Sequence, residues 1–216
     1  LIQSGVFFRK QDTAERRSLF MPVNRSVPDV AEKRKNWNGL MSGFKASDLV
    51  FLDESGCNTD MTRRYAYSLG GSRAVDSAPL SKPKNTTILS SIQLDGTLHY
   101  TTFSGGTTVE KFKRYLETDL LPHLNGDSIL IMDNMKSHHA KAVKNLLDSS
   151  GIRYIYLPPY SPDLNPIEKL WSKVKALLRK FKARTLDALP NAIQNAFHSV
   201  TVSDCSGWFR FCGYSL

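Results

Sequence analysis

Four of the ten prolines in this 216-residue chain fall between residues 157 and 166, in the segment Leu-Pro-Pro-Tyr-Ser-Pro-Asp-Leu-Asn-Pro. Proline fixes its own φ and keeps the preceding residue out of the helical region, so this segment must be extended or tightly turned along a reproducible path. The apolar run before it predicts a strand over residues 152–157, and the amphipathic pattern after it predicts a helix over residues 166–184. Glu168, in the first turn of that helix, can therefore be aimed at the end of the sheet.

Two further apolar runs each end in an acid. The run Leu-Val-Phe-Leu precedes Asp53, and the run Ile-Leu-Ile-Met precedes Asp133. Runs of this length predict buried strands, and sites form at the carboxyl ends of parallel strands. Asp53 shares one side of its strand with Phe51 whereas Glu54 points to the other side, so we expect Asp53 to be the partner of Asp133.

The remaining pattern predicts an α/β fold. We expect strands at residues 49–52, 65–67, 86–94, 97–103, 129–132 and 152–157, and helices from residue 28 to near 39 or 43 and at residues 109–120, 138–150, 166–184 and 186–199. Asp95 and Gly96 lie between two β-rich runs, which is typical of a hairpin with a two-residue turn. A strand, a hairpin, and then alternating helices and strands predict a mixed sheet flanked by helices.

Composition narrows the class of protein. With 41% hydrophobic residues the chain can bury one sizeable core, and no apolar run is long enough to span a membrane. The start of the chain lacks the pattern of a signal peptide. Three cysteines without a C-x-x-C pair indicate neither a zinc site nor a disulfide framework, so we expect a protein of the reducing cytoplasm. The formal charge of +9 suits a polyanionic partner, although charge alone does not establish one.

The acids predict a metal site only in combination. Alone, Asp133 fits a turn after a strand, Asp53 fits a strand exit, and Glu168 fits the acid of a capping box with Asn165 as N-cap and Pro166 as the first helical residue. Together they offer the carboxylate oxygens that Mg²⁺ prefers. Two such ions about 3.5–4 Å apart can hold the attacking and leaving oxygens of a phosphoryl transfer.

The residues around these acids resemble a known family. Ile-Met-Asp133-Asn134 with His138, the proline-rich segment through Glu168, and the downstream Trp171 are similar to the catalytic domain of mariner-type transposases, and most of all to their bacterial insertion-sequence branch. Thirty-four residues separate Asp133 from Glu168, as in that branch. The resemblance covers roughly residues 29 to 214.

The resemblance implies a fold, an activity and a site. It implies an RNase H-like fold and a DDE endonuclease that excises a DNA element and transfers its strands into a target, typically at TA dinucleotides. It implies two Mg²⁺ ions, with Mn²⁺ as a substitute, held by Asp53, Asp133 and Glu168. It places Asn134, His138 and Asn165 beside those ions. Transposases of this type generally act as dimers on paired DNA ends, near the bacterial nucleoid.

The front of the chain differs from the family. Family members carry an N-terminal helix-turn-helix region that binds the ends of the element, and this sequence lacks most of it. We therefore expect residues 1–28 to be a connector, or a remnant of such a region, and residues 29–216 to be the catalytic domain. A non-catalytic DNA-binding or assembly remnant is the alternative function, and a ribonuclease or resolvase on the same fold is a weaker one.

A basic helix face follows the third acid. Seven cations and no acid lie between residues 169 and 184. Such a face is often merely solvated, but the absence of acids favours a track for the DNA backbone. We predict that it comprises Lys169, Lys173, Lys175, Arg179, Lys180, Lys182 and Arg184.

Overall fold

The structure is a computed structural model that describes residues 28–63, 70, 72, 73, 75, 77 and 83–214. The strand expected at residues 65–67 and most of the expected connector lie outside these residues. In the part of the chain that is described, no helix has the length and apolarity needed to cross a membrane.

A five-stranded mixed sheet forms the centre of the domain. Its strands are β1 (Leu49–Cys57), β2 (Thr86–Ile92), β3 (Leu98–Ser104), β4 (Ile129–Met132) and β5 (Arg153–Tyr156). They lie in the order β3-β2-β1-β4-β5. The hairpin β2–β3 pairs antiparallel with β1, whereas β4 and β5 run parallel to it. The predicted α/β class with a mixed sheet is confirmed.

Helices cover both faces of the sheet. They are α1 (Pro28–Met41), α2 (Val109–Tyr115), α3 (Lys141–Ser150), α4 (Ile167–Phe181), α5 (Leu189–His198) and α6 (Val202–Phe211). Phe51 and the other apolar side chains on its face of the sheet pack against α1, α4, α5 and α6. Leu52 and its neighbours on the opposite face pack against α2 and α3. Strand alternation thus builds two apolar layers, one on each side of the sheet.

Strand β1 is longer than expected. Its parallel pairing with β4 stops at Leu52, opposite Met132, but its antiparallel pairing with β2 continues as far as Cys57. The expectation that Asp53 ends the strand is therefore wrong. Asp53 lies inside β1, one residue beyond the last parallel pair, so it still stands at the edge where β4 ends.

The hairpin turn also differs from the expected two-residue turn. Gly96 N–H donates to the carbonyl of Gln93 (3.2 Å), Gln93 N–H donates to the carbonyl of Thr97 (3.1 Å), and Gly96 has φ +90°. This is a tight turn followed by a left-handed residue, the arrangement of a three-residue hairpin loop with a bulge. Asp95 accepts from Thr97 N–H (2.9 Å) and stabilises the loop.

Several helix ends differ from the prediction. Helix α3 begins at Lys141, so His138 lies in the turn before it. Helix α4 ends at Phe181 because Lys182 takes a left-handed conformation (φ 53°). Helix α6 was not predicted. Its start is nevertheless marked by a capping box in which Thr201 and Asp204 exchange hydrogen bonds.

The end of the described chain is tied to the proline-rich segment. Trp37 Nε1 of α1 donates to the hydroxyl of Tyr214 (3.1 Å), and that hydroxyl donates to the carbonyl of Leu164 (2.6 Å). Tyr214 is buried and its ring packs on Phe51 at 5.0 Å between centroids. One hydroxyl therefore joins α1 to the turn that precedes α4.

Tyr214→Phe tests this tie. We expect the free energy of unfolding to fall by about 1–3 kcal/mol in denaturant titrations, because a buried indole N–H and a carbonyl both lose their partner. Tyr154→Phe is the matched control. Its hydroxyl meets Asp148 at the surface (3.1 Å), so we expect a change within about 0.5 kcal/mol. Equal losses in both variants would contradict the assignment.

Candidate active site

The three predicted acids line one cavity at the edge of the sheet where β4 ends and its pairing with β1 stops. The cavity has a volume of about 460 Å³ and is walled on one side by the proline-rich segment. Asp53 reaches it from β1, Asp133 from the residue after β4, and Glu168 from the first turn of α4. Asn134 and Asn165 also line it. The parallel pairing of the two strands brings together acids that are far apart in sequence.

Asp53 is the most buried of the three acids. Its carboxylate accepts from Glu54 N–H (2.8 Å) and from Trp171 Nε1 (3.2 Å). Burial raises its pKa from 3.8 to about 7, and the negative charges of Glu168, Asp133 and Glu54 act in the same direction. An unprotonated Asp53 is thus costly here, and a cation in the cavity would lower that cost. Sequence reasoning did not find the Trp171 contact, because periodicity marks this tryptophan only as a core residue of α4.

Asp133 is held by its own loop. Its Oδ1 accepts from Met135 N–H (2.9 Å) and lies 2.9 Å from Nδ1 of His138. Burial acts to raise the pKa of Asp133, but the hydrogen bonds from His138 and Met135 outweigh it and the pKa falls below its usual value. Asp133 therefore presents a charged carboxylate to the cavity in a fixed orientation.

His138 is completely buried between two carboxylates. Its Nδ1 faces Asp133, its Nε2 lies 3.2 Å from Oε1 of Glu54, and its ring stacks on Phe112 at 4.2 Å. With an acceptor at each nitrogen, the ring suits the doubly protonated form. Burial lowers the pKa of His138, yet the hydrogen bonds to Asp133 and Glu54 raise it to about 9. His138 thus acts on the cavity through Asp133.

Glu54 is a site residue that sequence reasoning missed. Strand alternation correctly turned it away from Asp53, toward the sheet face that carries α2 and α3. There it meets His138 across eighty-four positions of sequence. The local sequence pattern contains no signal that predicts a contact between residues so far apart in sequence.

The capping-box explanation of Glu168 is not supported. Asn165 is extended (φ −112°, ψ 101°) and Pro166 is helical, as an N-cap and a first helical residue should be. However, the side-chain Oδ1 of Asn165 is buried and has no hydrogen-bond partner within the described part of the chain. The carboxylate of Glu168 likewise has no hydrogen bond or ion pair to a described residue, although its backbone N–H donates to the carbonyl of Asn165 (3.1 Å). Burial and the charge of Asp133 raise its pKa against the opposing effect of Lys175 and Lys169.

Asn134 links the two walls of the cavity. Its side-chain amide donates to the carbonyl of Leu157 (2.5 Å), which begins the proline-rich segment. The loop that carries Asp133 is thereby fastened to the segment that leads to Glu168. The predicted place of Asn134 beside the ions stays a prediction.

Several of the predicted DNA-binding cations already have partners in the protein. Lys173 pairs with Asp204 of α6, and Lys169 Nζ lies 3.8 Å from the ring centroid of Phe211. Arg184, beyond the end of α4, donates to three backbone carbonyls between residues 59 and 77. These side chains therefore support the fold, and their predicted contact with DNA stays a prediction, as it does for Lys175, Arg179, Lys180 and Lys182.

The donor set suits a hard divalent cation. Three carboxylates and the side chain of Asn165 line one cavity, and oxygen atoms are the ligands that Mg²⁺ prefers. Within the described ranges, no three histidine, cysteine or acidic side chains already stand in a geometry that holds an ion. Glu168 is the acid that no described contact fixes, so it is the one that can move to complete the site.

Comparison with known proteins assigns the family. The model of the DDE superfamily endonuclease family matches residues 48–190, which is more than half of the chain and includes all three acids. The chain belongs to this family.

Individual relatives agree with that assignment. The chain is 27% identical over 97 residues to the transposable element Tc1 transposase of Caenorhabditis elegans, covering 43% of this chain and 36% of that protein. It is similar in fold to the Mos1 mariner paired-end complex with Mn (TM-score 0.76, 20% identity, 93% of this chain and 64% of that chain). It is also similar in fold to the catalytic domain of Mos1 mariner transposase (TM-score 0.68, 16% identity, 88% of this chain and 91% of that chain). The RNase H-like prediction is confirmed, and this chain spans about a third of Tc1 transposase.

The charge state of His138 gives a direct test of the site geometry. In metal-free protein we expect its ring resonances in NMR to titrate near pH 9, and Glu54→Gln to lower that pKa because one of the two carboxylates is lost. The raised pKa contributes stability that is full below pH 6.5 and is lost as pH rises through about 9.

A matched control is available for that experiment. Glu117→Gln removes an exposed acid that pairs with Lys113 and should leave the pKa of His138 unchanged. A pKa of His138 near 6.5 in the wild type, unchanged by Glu54→Gln, would contradict the placement of His138 between Asp133 and Glu54.

Proposed function

We propose that this chain is the catalytic domain of a DNA transposase, which cleaves DNA strands and joins the freed 3′ ends to a target. The observation that carries the proposal is the convergence of Asp53, Asp133 and Glu168 on one cavity in a chain of the DDE superfamily endonuclease family. The likeness to Tc1 and Mos1 transposases supports the same reaction class.

We propose that Asp53, Asp133 and Glu168 hold the divalent ions and that Asn165 lies beside them. When bound, Mg²⁺ or Mn²⁺ would supply positive charge to the attacking and leaving oxygens of the phosphoryl transfer. Two of the Mos1 paired-end structures to which this fold is similar contain Mn or Mg. The raised pKa of Asp53 supports this assignment, since a bound cation would stabilise the charged form of a buried carboxylate that stands beside other acids.

The protein's own residues prepare the site for that chemistry. His138 orients the Asp133 carboxylate and is itself held by Glu54. The N–H of Trp171 orients the Asp53 carboxylate from α4. The prolines limit how the wall beside Glu168 can move. The carboxylates of Asp53 and Asp133 are thus oriented during folding, before DNA arrives.

We propose duplex DNA as the partner. The net charge of +9 and the cations from Lys169 to Arg184 favour a phosphate backbone. The similar Mos1 structures are paired-end and strand-transfer complexes, which supports a dimer acting on two DNA ends. The division into a connector (1–28) and a catalytic domain (29–216), an origin in a bacterial insertion sequence and a place near the nucleoid remain predictions.

Asp133→Asn tests the proposal. We expect the chain, joined to an end-binding region, to lose cleavage of labelled element ends by more than about a hundredfold, because a metal ligand worth about 3 kcal/mol or more is removed. Asp148→Asn makes the same chemical change in an acid that bonds the Tyr154 hydroxyl, away from the cavity, and should cleave normally. Cleavage at the wild-type rate by the Asp133→Asn variant would contradict the proposal. An inactive wild type that binds DNA would favour the non-catalytic remnant instead.

Metal and pH should act on stability through Asp53. Its raised pKa means that, without metal, stability is fully present below pH 3.8 and is lost as pH rises through about 7. We expect Mn²⁺ at pH 8 to raise the thermal midpoint of the wild type and to have little effect on Asp53→Asn, followed by circular dichroism with and without chelator. Equal stabilisation of the two proteins would place the ion elsewhere.

A further inference from the structure

Helix α1 reaches the proline-rich segment through Arg34. The guanidinium donates to Oγ of Ser161 and to both carboxylate oxygens of Asp163, at 3.2 and 2.7 Å. The Arg34 side chain is 15% exposed and the Asp163 side chain is 40% exposed, so the guanidinium is largely shielded from water while the carboxylate is partly open to it. Ser161 Oγ in turn donates to the carbonyl of Pro159 (3.0 Å). Arg34 thus holds Ser161 and Asp163 directly, and Ser161 extends the contact to Pro159.

The same helix holds the segment at a second place. Trp37, one turn after Arg34, donates to Tyr214, whose hydroxyl donates to the carbonyl of Leu164. Arg34 and Trp37 therefore act on opposite ends of the short turn Pro162–Leu164. Both contacts arise from α1, a helix that supplies no acid to the cavity.

The held turn leads directly into the residues of the site. Asn165 follows it, then Pro166, and Glu168 occupies the first turn of α4. Asp53 and Asp133 are each fixed by two hydrogen bonds, whereas Glu168 has no such support among the described residues. Its position is set by the backbone that enters α4. That backbone is restrained at the turn Pro162–Leu164, which is hydrogen-bonded to Arg34 and to Tyr214.

The segment needs outside restraint to keep its path. Tyr160 has φ 56°, in the left-handed region that residues other than glycine rarely occupy. Such a conformation persists where surrounding contacts hold it in place, and it is found preferentially at functional sites. Ser161, the next residue, is buried and bonded to Arg34, so the restraint is applied beside the strained position.

We propose that Arg34 is a positioning residue for Glu168, and that docking of α1 on the segment 161–164 sets the third acid for metal binding. The proposal deepens the function proposed above and rests on it.

Metal affinity in a double-mutant cycle tests the proposal. Mn²⁺ binding to the 216-residue chain is measured by calorimetry in the wild type, Arg34→Ala, Glu168→Gln and the double variant. We expect Arg34→Ala to weaken Mn²⁺ binding about tenfold, the loss typical of removing a group that supports a metal ligand. In the Glu168→Gln background the same change should have no further effect, because Arg34 acts through that carboxylate.

Hydrogen–deuterium exchange supplies a readout that needs no metal. Arg34→Ala should speed exchange of the amides of residues 161–170 and leave those of β1 and β4 unchanged. If Arg34→Ala does not fold, Asp163→Asn weakens the same contact from the other side and should give both results. Lys33→Ala is the matched control, since Lys33 is the neighbour on α1 and pairs only across the exposed helix surface with Asp29 among described residues (3.0 Å).

The outcomes separate the two proposals. Equal weakening of Mn²⁺ binding by Arg34→Ala with and without Glu168, or unchanged exchange at residues 161–170, would overturn the positioning role. A wild-type chain that binds no Mn²⁺ would instead remove the proposed metal site, while the exchange result still decides whether Arg34 holds the turn.

Discussion

The parallel pairing of β1 with β4 is the constraint on which the site depends. Leu52 lies opposite Met132, so the residues that follow, Asp53 and Asp133, emerge side by side at the same edge of the sheet. The register is fixed by burial, because both strands are apolar on two faces and a shift by one residue would send Asp53 into the layer under α2 and α3. The core that holds the domain together therefore also sets the spacing of the first two acids.

Electrostatic strain is the second consequence of that arrangement. Burial and neighbouring acids raise the pKa of Asp53, while Asp133 stays charged because His138 compensates it. The two carboxylates therefore differ in their charge at neutral pH. Asp133 is charged without a metal ion, whereas a bound cation would stabilise the charged form of Asp53. Glu168 lies on a separate helix, and among the described residues it is restrained only through its backbone, so it is the adjustable member. A site built this way can assemble around metal and DNA without disturbing the sheet.

Much of the fold and of the candidate site could be predicted from the sequence. The features that could not be predicted depend on contacts between residues that are distant in sequence. The apolar runs before Asp53 and Asp133 predicted strands β1 and β4, and the prolines before Glu168 predicted the start of α4. Together they predicted that the three acids meet at one edge of the sheet. The pattern could not show that β1 continues through Asp53, since pairing with β2 decides that. It could not join Glu54 to His138 or Arg34 to Asp163, because these contacts cross the whole fold. Helix α6 was missed although its capping residues, Thr201 and Asp204, were readable.

The most direct test of the central claim is the anomalous scattering of Mn²⁺ in crystals of this chain. We predict manganese peaks in the cavity, within coordinating distance of Asp53 and Asp133, with Glu168 turned toward them from α4. Peaks at other surface acids only, or a cavity without manganese at saturating concentration, would contradict the account. In the first case the three acids would be neighbours without a shared ion, and the proposed chemistry would fall with them.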